Sequence, residues 1–368
     1  MKMFFPCLVF LMLFTSCSKE ESNNSFVWSK SYGEGEAFYV KPLSDSVFIA
    51  CGRSDGKPFL VSINKERKEN FVINPDIPGS FTSFVTDETG MTLAGNNGTN
   101  LLLMRYNLRG EPVWQDTLHT GFNVESARLL TVNGGLLAIA SPLPDSLGNG
   151  DTGFMFVRLD TTGLISLRKK ISTAGYYVSA FDATQGFNGN ILLAITKKQA
   201  TTKSRAYVAS YSPVLDKIWE AELFNNPSFS SACLFVVRDV SGKIYAGGRS
   251  EITSQGILTT NSFLTALEPT GITAPGWSQK KYTEFSNEGR SLLFDAEGKM
   301  LILDRRCFIV NKLDRIDGSD VGIIRPFNAC ASVSTDAFAS GFSIVGGKEF
   351  VFAGSLGNRF FLGIKTLQ

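Results

Sequence analysis

The sequence predicts an all-β protein built from repeated four-stranded units. One apolar segment, often ending in Ala-Gly, occurs seven times along the 368 residues, at intervals of roughly 43 to 56 residues. A period of this length indicates an array of supersecondary units. The 35 glycines stand at regular turn positions between short apolar runs, which is typical of strands joined by tight turns. No helical periodicity of useful length interrupts this pattern.

Two strands of each unit are defined by their apolar residues. The recurring segment is found at 48–52 (FIACG), 91–95 (MTLAG), 136–140 (LLAIA), 191–195 (ILLAI), 244–248 (IYAGG), 300–304 (MLILD) and 350–354 (FVFAG). A further strand follows each copy, at 59–63, 101–106, 154–159, 206–211, 263–267, 308–313 and 360–364. Turns such as 87–90 (DETG) and 107–110 (NLRG) have the Asn, Asp and Gly content of tight hairpins.

The outermost strand indicates how the chain closes. It follows the other two six times, at 70–73, 113–118, 165–171, 218–223, 276–280 and 321–327, and the sequence ends before a seventh copy. The segment 26–32 (FVWSKSY) shares its Trp and its alternation with 112–118 (PVWQDTL) and 217–223 (KIWEAEL). We therefore expect the N-terminus to supply the missing strand. Alternating segments precede the repeats and give each unit a fourth, innermost strand, as at 37–40, 126–130, 232–237 and 290–295.

Seven four-stranded units with a split last unit predict a single seven-bladed β-propeller domain over residues 26–368. The N-terminal strand would complete the C-terminal blade, which removes two unpaired sheet edges. An open β-solenoid is the alternative, but it does not explain why the missing strand stands at the start of the chain. The four Trp residues recur at one repeat position, and we expect them to fill gaps between outer strands: Trp28, Trp114, Trp219 and Trp277.

The repeats also carry a family resemblance. The segments 101–114 (LLLMRYNLRGEPVW), 156–163 (FVRLDTTG) and 263–271 (FLTALEPTG) resemble the repeats of bacterial quinoprotein-like β-propellers, and in particular those of the β-propeller repeat lipoproteins of Bacteroidota. The resemblance covers residues 26–368 and implies a propeller fold. It implies no particular activity, because a fold alone does not fix function.

Residues 1–16 are predicted to be a lipoprotein signal peptide. Lys2 and the apolar run 4–14 have the form of a signal peptide, and the run is too short to span a bilayer. It ends in Phe14-Thr15-Ser16-Cys17, which resembles a bacterial lipobox and implies lipidation of Cys17, for example by palmitate. The family usually has Leu where Phe14 stands, and an ordinary secretory signal is the alternative.

Residues 17–25 then form the lipidated Cys17 and a short polar tether. Its Lys19-Glu20-Glu21 resembles the surface-export signal of Bacteroidota lipoproteins, although a solvated linker explains these charges equally well. We expect a protein that is lipid-anchored at the outer membrane, with display on the cell surface left open.

Composition argues against several functional classes. A net charge of +2 does not favour a nucleic-acid partner, which requires a basic stripe. His119 is the only His, so no second His is available for a hydrolytic triad. Four further cysteines show no metal-ligand spacing, and we interpret them mainly as buried apolar residues, although an oxidising compartment permits a disulfide: Cys51, Cys233, Cys307 and Cys330. We expect no metal, no cofactor and no enzymatic activity.

The candidate binding face is the end of the propeller that carries the longer loops, predicted at 141–153, 196–204 and 249–262. Connections between blades carry aromatic residues at Phe122, Tyr176, Tyr177, Phe229 and Phe285. Charged residues mark the starts of the innermost strands at Glu36, Glu125, Arg128, Glu288, Arg290 and Asp336. Exposed aromatic rings suit a docking or sugar-stacking surface, whereas packing between blades is the structural alternative for each ring.

Three functional hypotheses follow. We favour a non-catalytic binding or scaffold module with a protein partner in the cell envelope. Glycan binding by the loop face is the alternative. A quinone-dependent or carbohydrate-cleaving enzyme is less favoured, although carboxylate pairs such as Glu36 with Glu288 or Asp336 could in principle act on a glycosidic bond.

Overall fold

The computed structural model describes residues 27–142, 152–199, 202–223, 228–254, 257–277, 280–282, 288–305, 308–324, 337–347 and 349–366. Over these residues the chain forms one 3₁₀ turn, Phe187–Gly189, and the following strands: β1 (Trp28–Ser44), β2 (Val47–Ser54), β3 (Lys57–Ile63), β4 (Glu69–Ile73), β5 (Ser80–Thr86), β6 (Gly90–Asn97), β7 (Asn100–Asn107), β8 (Pro112–His119), β9 (Val124–Val132), β10 (Gly135–Pro142), β11 (Phe154–Leu159), β12 (Ile165–Ile171), β13 (Tyr176–Gln185), β14 (Ile191–Gln199), β15 (Arg205–Tyr211), β16 (Lys217–Glu222), β17 (Ser230–Arg238), β18 (Ile244–Ser254), β19 (Ile257–Leu267), β20 (Lys280–Tyr282), β21 (Gly289–Phe294), β22 (Met300–Asp304), β23 (Val310–Leu313), β24 (Asp320–Ile324), β25 (Ala337–Val345), β26 (Glu349–Leu356) and β27 (Arg359–Thr366).

Within the described residues these strands form six sheets. Five are four-stranded and keep the order of the chain: β5–β8, β9–β12, β13–β16, β17–β20 and β21–β24. The sixth has seven strands in the order β25, β26, β27, β1, β2, β3 and β4. Strand β1 joins its two parts, because residues 28–34 pair with β27 and residues 35–44 pair with β2. The N-terminal strand therefore pairs with the C-terminal strand, as the sequence predicts.

The sheets are arranged in a closed ring. Seven strands contact one another in the succession β1, β5, β9, β13, β17, β21 and β25, and β25 contacts β1. Five of them are the first strands of the four-stranded sheets, while β1 and β25 both belong to the seven-stranded sheet. These seven are the innermost strands of the ring. Apolar side chains fill the spaces between successive sheets, as where Leu103 of β7 packs with Leu129 of β9 and Ala138 of β10. Removal of this apolar surface from water is the main force that holds the sheets together.

The recurrent Ala-Gly of the second strands has a steric cause. A Cβ atom at Gly95 would lie 1.8 Å from the carbonyl oxygen of Ser80, and one at Gly354 would lie 2.0 Å from that of Phe338. Both glycines stand opposite a β-bulge in the neighbouring innermost strand. A bulge bends the strand that carries it, and with a carbonyl oxygen this close only a residue without a side chain fits.

Two of the four Trp residues join successive sheets at their outer strands. The ring of Trp114 covers Gly163 in the next sheet, and its Nε1 donates to the Thr161 carbonyl oxygen at 3.1 Å. Trp219 packs in the same way on Gly271. Trp277 differs, since it lies in the turn between β19 and β20, where it is buried.

Two sequence predictions are wrong in detail. The predicted loop at 249–262 is instead a long hairpin, in which Arg249 pairs with Ser262 and the ladder continues to Ser254 and Ile257. The predicted outer strand at 276–280 begins only at Lys280. In 249–262 the Thr and Ile residues favour extended backbone. In 276–280 the residue Gly276, at a φ of 77°, favours a turn before β20.

Candidate functional site

Seven charged side chains come together at the end of the ring where the innermost strands begin. They are Glu36, Arg53, Glu125, Arg249, Glu288, Arg290 and Arg305, and we call them the rim cluster. Four of them belong to the predicted binding face or to its candidate carboxylates, namely Glu36, Glu125, Glu288 and Arg290. The three others are arginines on or directly after second strands, which the sequence analysis missed.

Glu288 is the centre of the rim cluster. Its side chain is 9% exposed, and its carboxylate lies 2.8 Å from Arg290 Nη2, 3.0 Å from Arg249 Nη1 and 3.4 Å from Arg305 Nη1. Burial alone would raise the pKa of this carboxyl, but the three guanidinium groups outweigh it and lower the pKa. Glu288 is therefore held ionised, as a buried carboxylate must be paired to be tolerated.

The other carboxylates of the rim cluster are differently placed. Burial raises the pKa of Glu125, against the opposing charges of Arg53 and Arg290. Glu36 stands opposite Arg53 in the β1–β2 register and accepts a hydrogen bond from the Ser340 hydroxyl. The rim thus interleaves positive and negative groups instead of presenting one sign of charge.

A single repeat position supplies the arginines that the sequence analysis missed. The residue directly after each apolar segment of the second strands is polar in all seven copies: Arg53, Asn96, Ser141, Thr196, Arg249, Arg305 and Ser355. Asn96 donates to the Glu125 carbonyl oxygen of the next sheet at 2.8 Å, and the Ser141 hydroxyl accepts from the Ala180 amide at 2.8 Å. We call this the seam position, because it links each of these sheets to its neighbour.

Arg128, another predicted face residue, lies deeper and links innermost strands. It donates to the carbonyl oxygens of Thr82 at 2.8 Å and Phe181 at 2.9 Å, and its Nε is 3.6 Å from Asp182. Asp182 in turn accepts from the Val236 amide at 3.1 Å. Burial raises the pKa of Asp182, and the charge of Arg128 opposes that rise. This network spans four successive innermost strands and accounts for Arg128 structurally.

The predicted aromatic residues lie mainly between sheets. Phe122 and Tyr177 are buried, with 8% and 5% of their surface exposed. Tyr176 and Phe229 are half-buried and pack against apolar clusters. Among the predicted aromatic residues that the structure describes, Tyr176 and Phe229 are therefore the two that keep part of their surface accessible. Phe285, Asp336 and the lipidation site Cys17 lie outside the described residues.

Among the residues that the structure describes, no three or more His, Cys, Asp or Glu side chains are grouped as metal ligands. The same part of the chain contains no helix long and apolar enough to cross a membrane. Cys51 and Cys233 are buried free thiols whose pKa is raised by burial, while Cys307 and Cys330 lie outside the described ranges.

Comparison with known proteins identifies the fold. No family model and no curated protein matches the chain. Among solved structures, the WD40 β-propeller domain of Doa1 is 12% identical with a TM-score of 0.57, over 93% of this chain and 96% of that one. Virginiamycin B lyase from Staphylococcus aureus is 10% identical with a TM-score of 0.58, over 93% and 99%. The β-propeller domain of Cps50 (Swd1) from Myceliophteria thermophila is 12% identical with a TM-score of 0.59, over 93% and 100%. These likenesses, together with the ring of four-stranded sheets, show that the chain has a β-propeller fold.

Proposed function

We propose that the protein is a non-catalytic binding module, anchored to the outer membrane through lipidated Cys17, that docks a protein partner of the cell envelope on its rim cluster. The observation that carries the proposal is the concentration of paired arginines and carboxylates around Glu288. Polar and charged groups arranged in this way give an interface its specificity and its rate of association. Arginine in particular is enriched at the energetic centres of protein interfaces.

The proposal includes a ring of seven blades. Strand β1 has 17 residues, and its two halves pair with different strands. Counted in this way, the seven-stranded sheet comprises two blades that share β1: one formed by β25–β27 with residues 28–34, the other by residues 35–44 with β2–β4. The five four-stranded sheets complete the count.

The ionisation of Glu288 fits docking better than catalysis. A general acid or base works best with a pKa near the operating pH, whereas three arginines hold the pKa of Glu288 low. Solved propellers that resemble this chain include a WD40 domain and a lyase, so the fold itself favours neither class. We therefore assign the charges to recognition and expect no turnover.

The test is capture from solubilised membranes with matched variants. Arg53 is an exposed member of the rim cluster, and Arg168 is an exposed residue on outer strand β12. We expect Arg53→Glu to lose a specific partner that the wild type recovers and Arg168→Glu to retain it. Because both substitutions change the net charge equally, a difference between them depends on the position and not on the charge of the whole protein. Equal recovery by the two variants, or no partner above background with the wild type, would reject the proposal.

Glycan binding is the second candidate, and the accessible part of Tyr176 at the start of β13 favours it. Aromatic rings provide flat surfaces that lose little entropy on binding. A glycan array should then give hits that weaken in Tyr176→Ala and persist in Arg53→Glu. An array without hits would exclude this candidate.

A further inference from the structure

A cleft lies between the β9–β12 sheet and the β13–β16 sheet, away from the rim cluster. Its volume is about 160 Å³, roughly five times the share of one water molecule in the liquid. Its lining comes mainly from the outer strands and from the connection between the sheets: Lys169, Ile171, Ser172, Thr173, Val178, Ile195, Lys197, Tyr211, Leu215, Lys217 and Glu220. We call it the lysine cleft, because three ammonium groups line it.

The charges of the lysine cleft do not cancel. Lys197, with 10% of its side chain exposed, forms an ion pair with Glu220, and Lys217 lies 3.4 Å from the same carboxylate. Lys169 lies 2.8 Å from Asp216 and donates to the Leu215 carbonyl oxygen at 2.9 Å. Asp216 is 74% exposed and is not part of the lining, so water screens it strongly. Counted together, the three ammonium groups outnumber the two carboxylates beside them, so the lysine cleft keeps a small excess of positive charge.

The walls of the lysine cleft are apolar at the bottom and polar at the entrance. Val178, Ile195 and Leu215 are fully buried there. Tyr211 is also buried, and its phenol stays neutral because burial raises its pKa. The lip carries the hydroxyl groups of Ser172 and Thr173. Small-molecule sites combine apolar walls with a few placed polar groups in this way.

We propose that the lysine cleft binds a small organic carboxylate with a compact hydroxylated body, about the size of a single sugar-acid ring. Lys169 and Lys217 would hold the carboxylate, since charge-assisted hydrogen bonds are the strongest available to it. The hydroxyl groups at the lip would meet those of the ligand. Glu220 disfavours a doubly charged anion such as phosphate, because the excess of positive charge in the cleft is small.

Titration calorimetry on the mature chain in detergent tests the proposal with D-glucuronate, D-glucose and inorganic phosphate. We expect glucuronate to bind about tenfold or more tightly than glucose, because only glucuronate offers a charged acceptor. Lys217→Gln and Lys169→Gln should each weaken glucuronate binding by about tenfold, the usual effect of losing one charged hydrogen bond. Rising salt should weaken it further.

The matched control is Lys170→Gln. Lys170 is exposed, follows Lys169 on β12 and does not line the cleft, so its variant makes the same change of charge on the opposite face. Glucuronate affinity should remain within about twofold of the wild type, since distant surface charges are screened. The proposal is overturned if glucose binds as tightly as glucuronate, or if Lys170→Gln weakens glucuronate binding as much as Lys169→Gln and Lys217→Gln do. It is also overturned if phosphate binds and glucuronate does not, or if none of the three compounds binds. Should Lys169→Gln fail to fold, Lys217→Gln carries the test, because half of the Lys217 side chain is in solvent.

Discussion

The pairing of the two chain ends is the feature whose removal should have the largest effect on stability. Deletion of residues 26–33 removes the part of β1 that pairs Trp28 with Ile364 and Ser31 with Phe361. It also removes Tyr32, whose ring centre lies 5.1 Å from that of Phe59 and 5.5 Å from that of Phe360. Of the β1–β27 pairs, only Glu34 with Arg359 would then remain between the two parts of the seven-stranded sheet.

The expected loss follows from these contacts. Aromatic pairs contribute about 0.5–1.5 kcal/mol each beyond their burial, and each ladder hydrogen bond contributes about 1 kcal/mol. The deletion should therefore lower the free energy of unfolding by about 5 kcal/mol or more. A domain has only about 5–15 kcal/mol in total, so the ring should open locally or fail to fold. The newly unpaired edge of β27 should also promote aggregation.

Urea unfolding followed by circular dichroism measures this loss, and deletion of residues 18–25 is the control. The control removes residues that precede the paired part of β1, and we expect it to leave the midpoint unchanged. Tyr32→Ala is a milder variant, expected to cost about 2 kcal/mol because the ring is half-buried. Equal midpoints for the two deletions would show that the pairing of β1 with β27 does not hold the ring together.

Three further predictions concern the second strands, the rim and the anchor. Gly95→Ala should lower the free energy of unfolding in urea by about 3 kcal/mol, because its Cβ would meet the Ser80 carbonyl oxygen. Gly322→Ala, which has open space around its Cβ, should change that free energy little. Equal effects of the two substitutions would contradict the steric account. Glu288→Gln should cost about 3 kcal/mol at pH 7, since it removes the buried carboxylate with which three guanidinium groups pair. The pKa of Glu288 is lowered on folding from its ordinary value of 4.5, so its charge stabilises the folded chain above that pH. The difference in stability between wild type and Glu288→Gln should therefore shrink on acidification below pH 4.5. Melting temperatures from pH 7 to 3 test this, and a constant difference would refute it. Cys17→Ala should move the protein from the membrane to the soluble envelope fraction, and an unchanged distribution on fractionation would refute lipid anchoring.

The strands could be predicted because the residues at which each one begins and ends depend on local sequence. Apolar segments and turn residues fix where each strand begins and ends, and the Trp of 26–32 identified the strand that pairs with β27. The hairpin of β18 and β19 was not predicted because its outer part, 251–260 (EITSQGILTT), mixes Ile and Leu with Ser, Thr, Gln and a Gly, and these polar residues are also typical of a loop. The ladder that pairs Glu251 with Thr260 and continues to Ser254 and Ile257 defines that part as a hairpin.

The rim cluster could be predicted only in part. Four of its members could be predicted because they stand at the starts of innermost strands, which meet at the centre of any propeller: Glu36, Glu125, Glu288 and Arg290. The arginines of the seam position stand on second strands or directly after them, where a single copy does not distinguish a functional residue from an ordinary residue at a strand end. An alignment of the seven copies reveals that position, but which seams carry charge partners depends on distances that only the ring defines.

The seam position also indicates which part of the rim is used. Neutral groups suffice to join sheets there, since Ser141 and Thr196 each accept one backbone amide of the next sheet, at 2.8 and 3.2 Å. Arg249 and Arg305 occupy the same position in two consecutive sheets and both reach Glu288. Charged side chains lose more solvation than neutral ones when they are placed in a seam, so stability alone does not favour arginine. We infer that the arc of the rim between β18 and β22 is where a partner would bind, and substitutions of Arg249 should affect capture more than they affect unfolding.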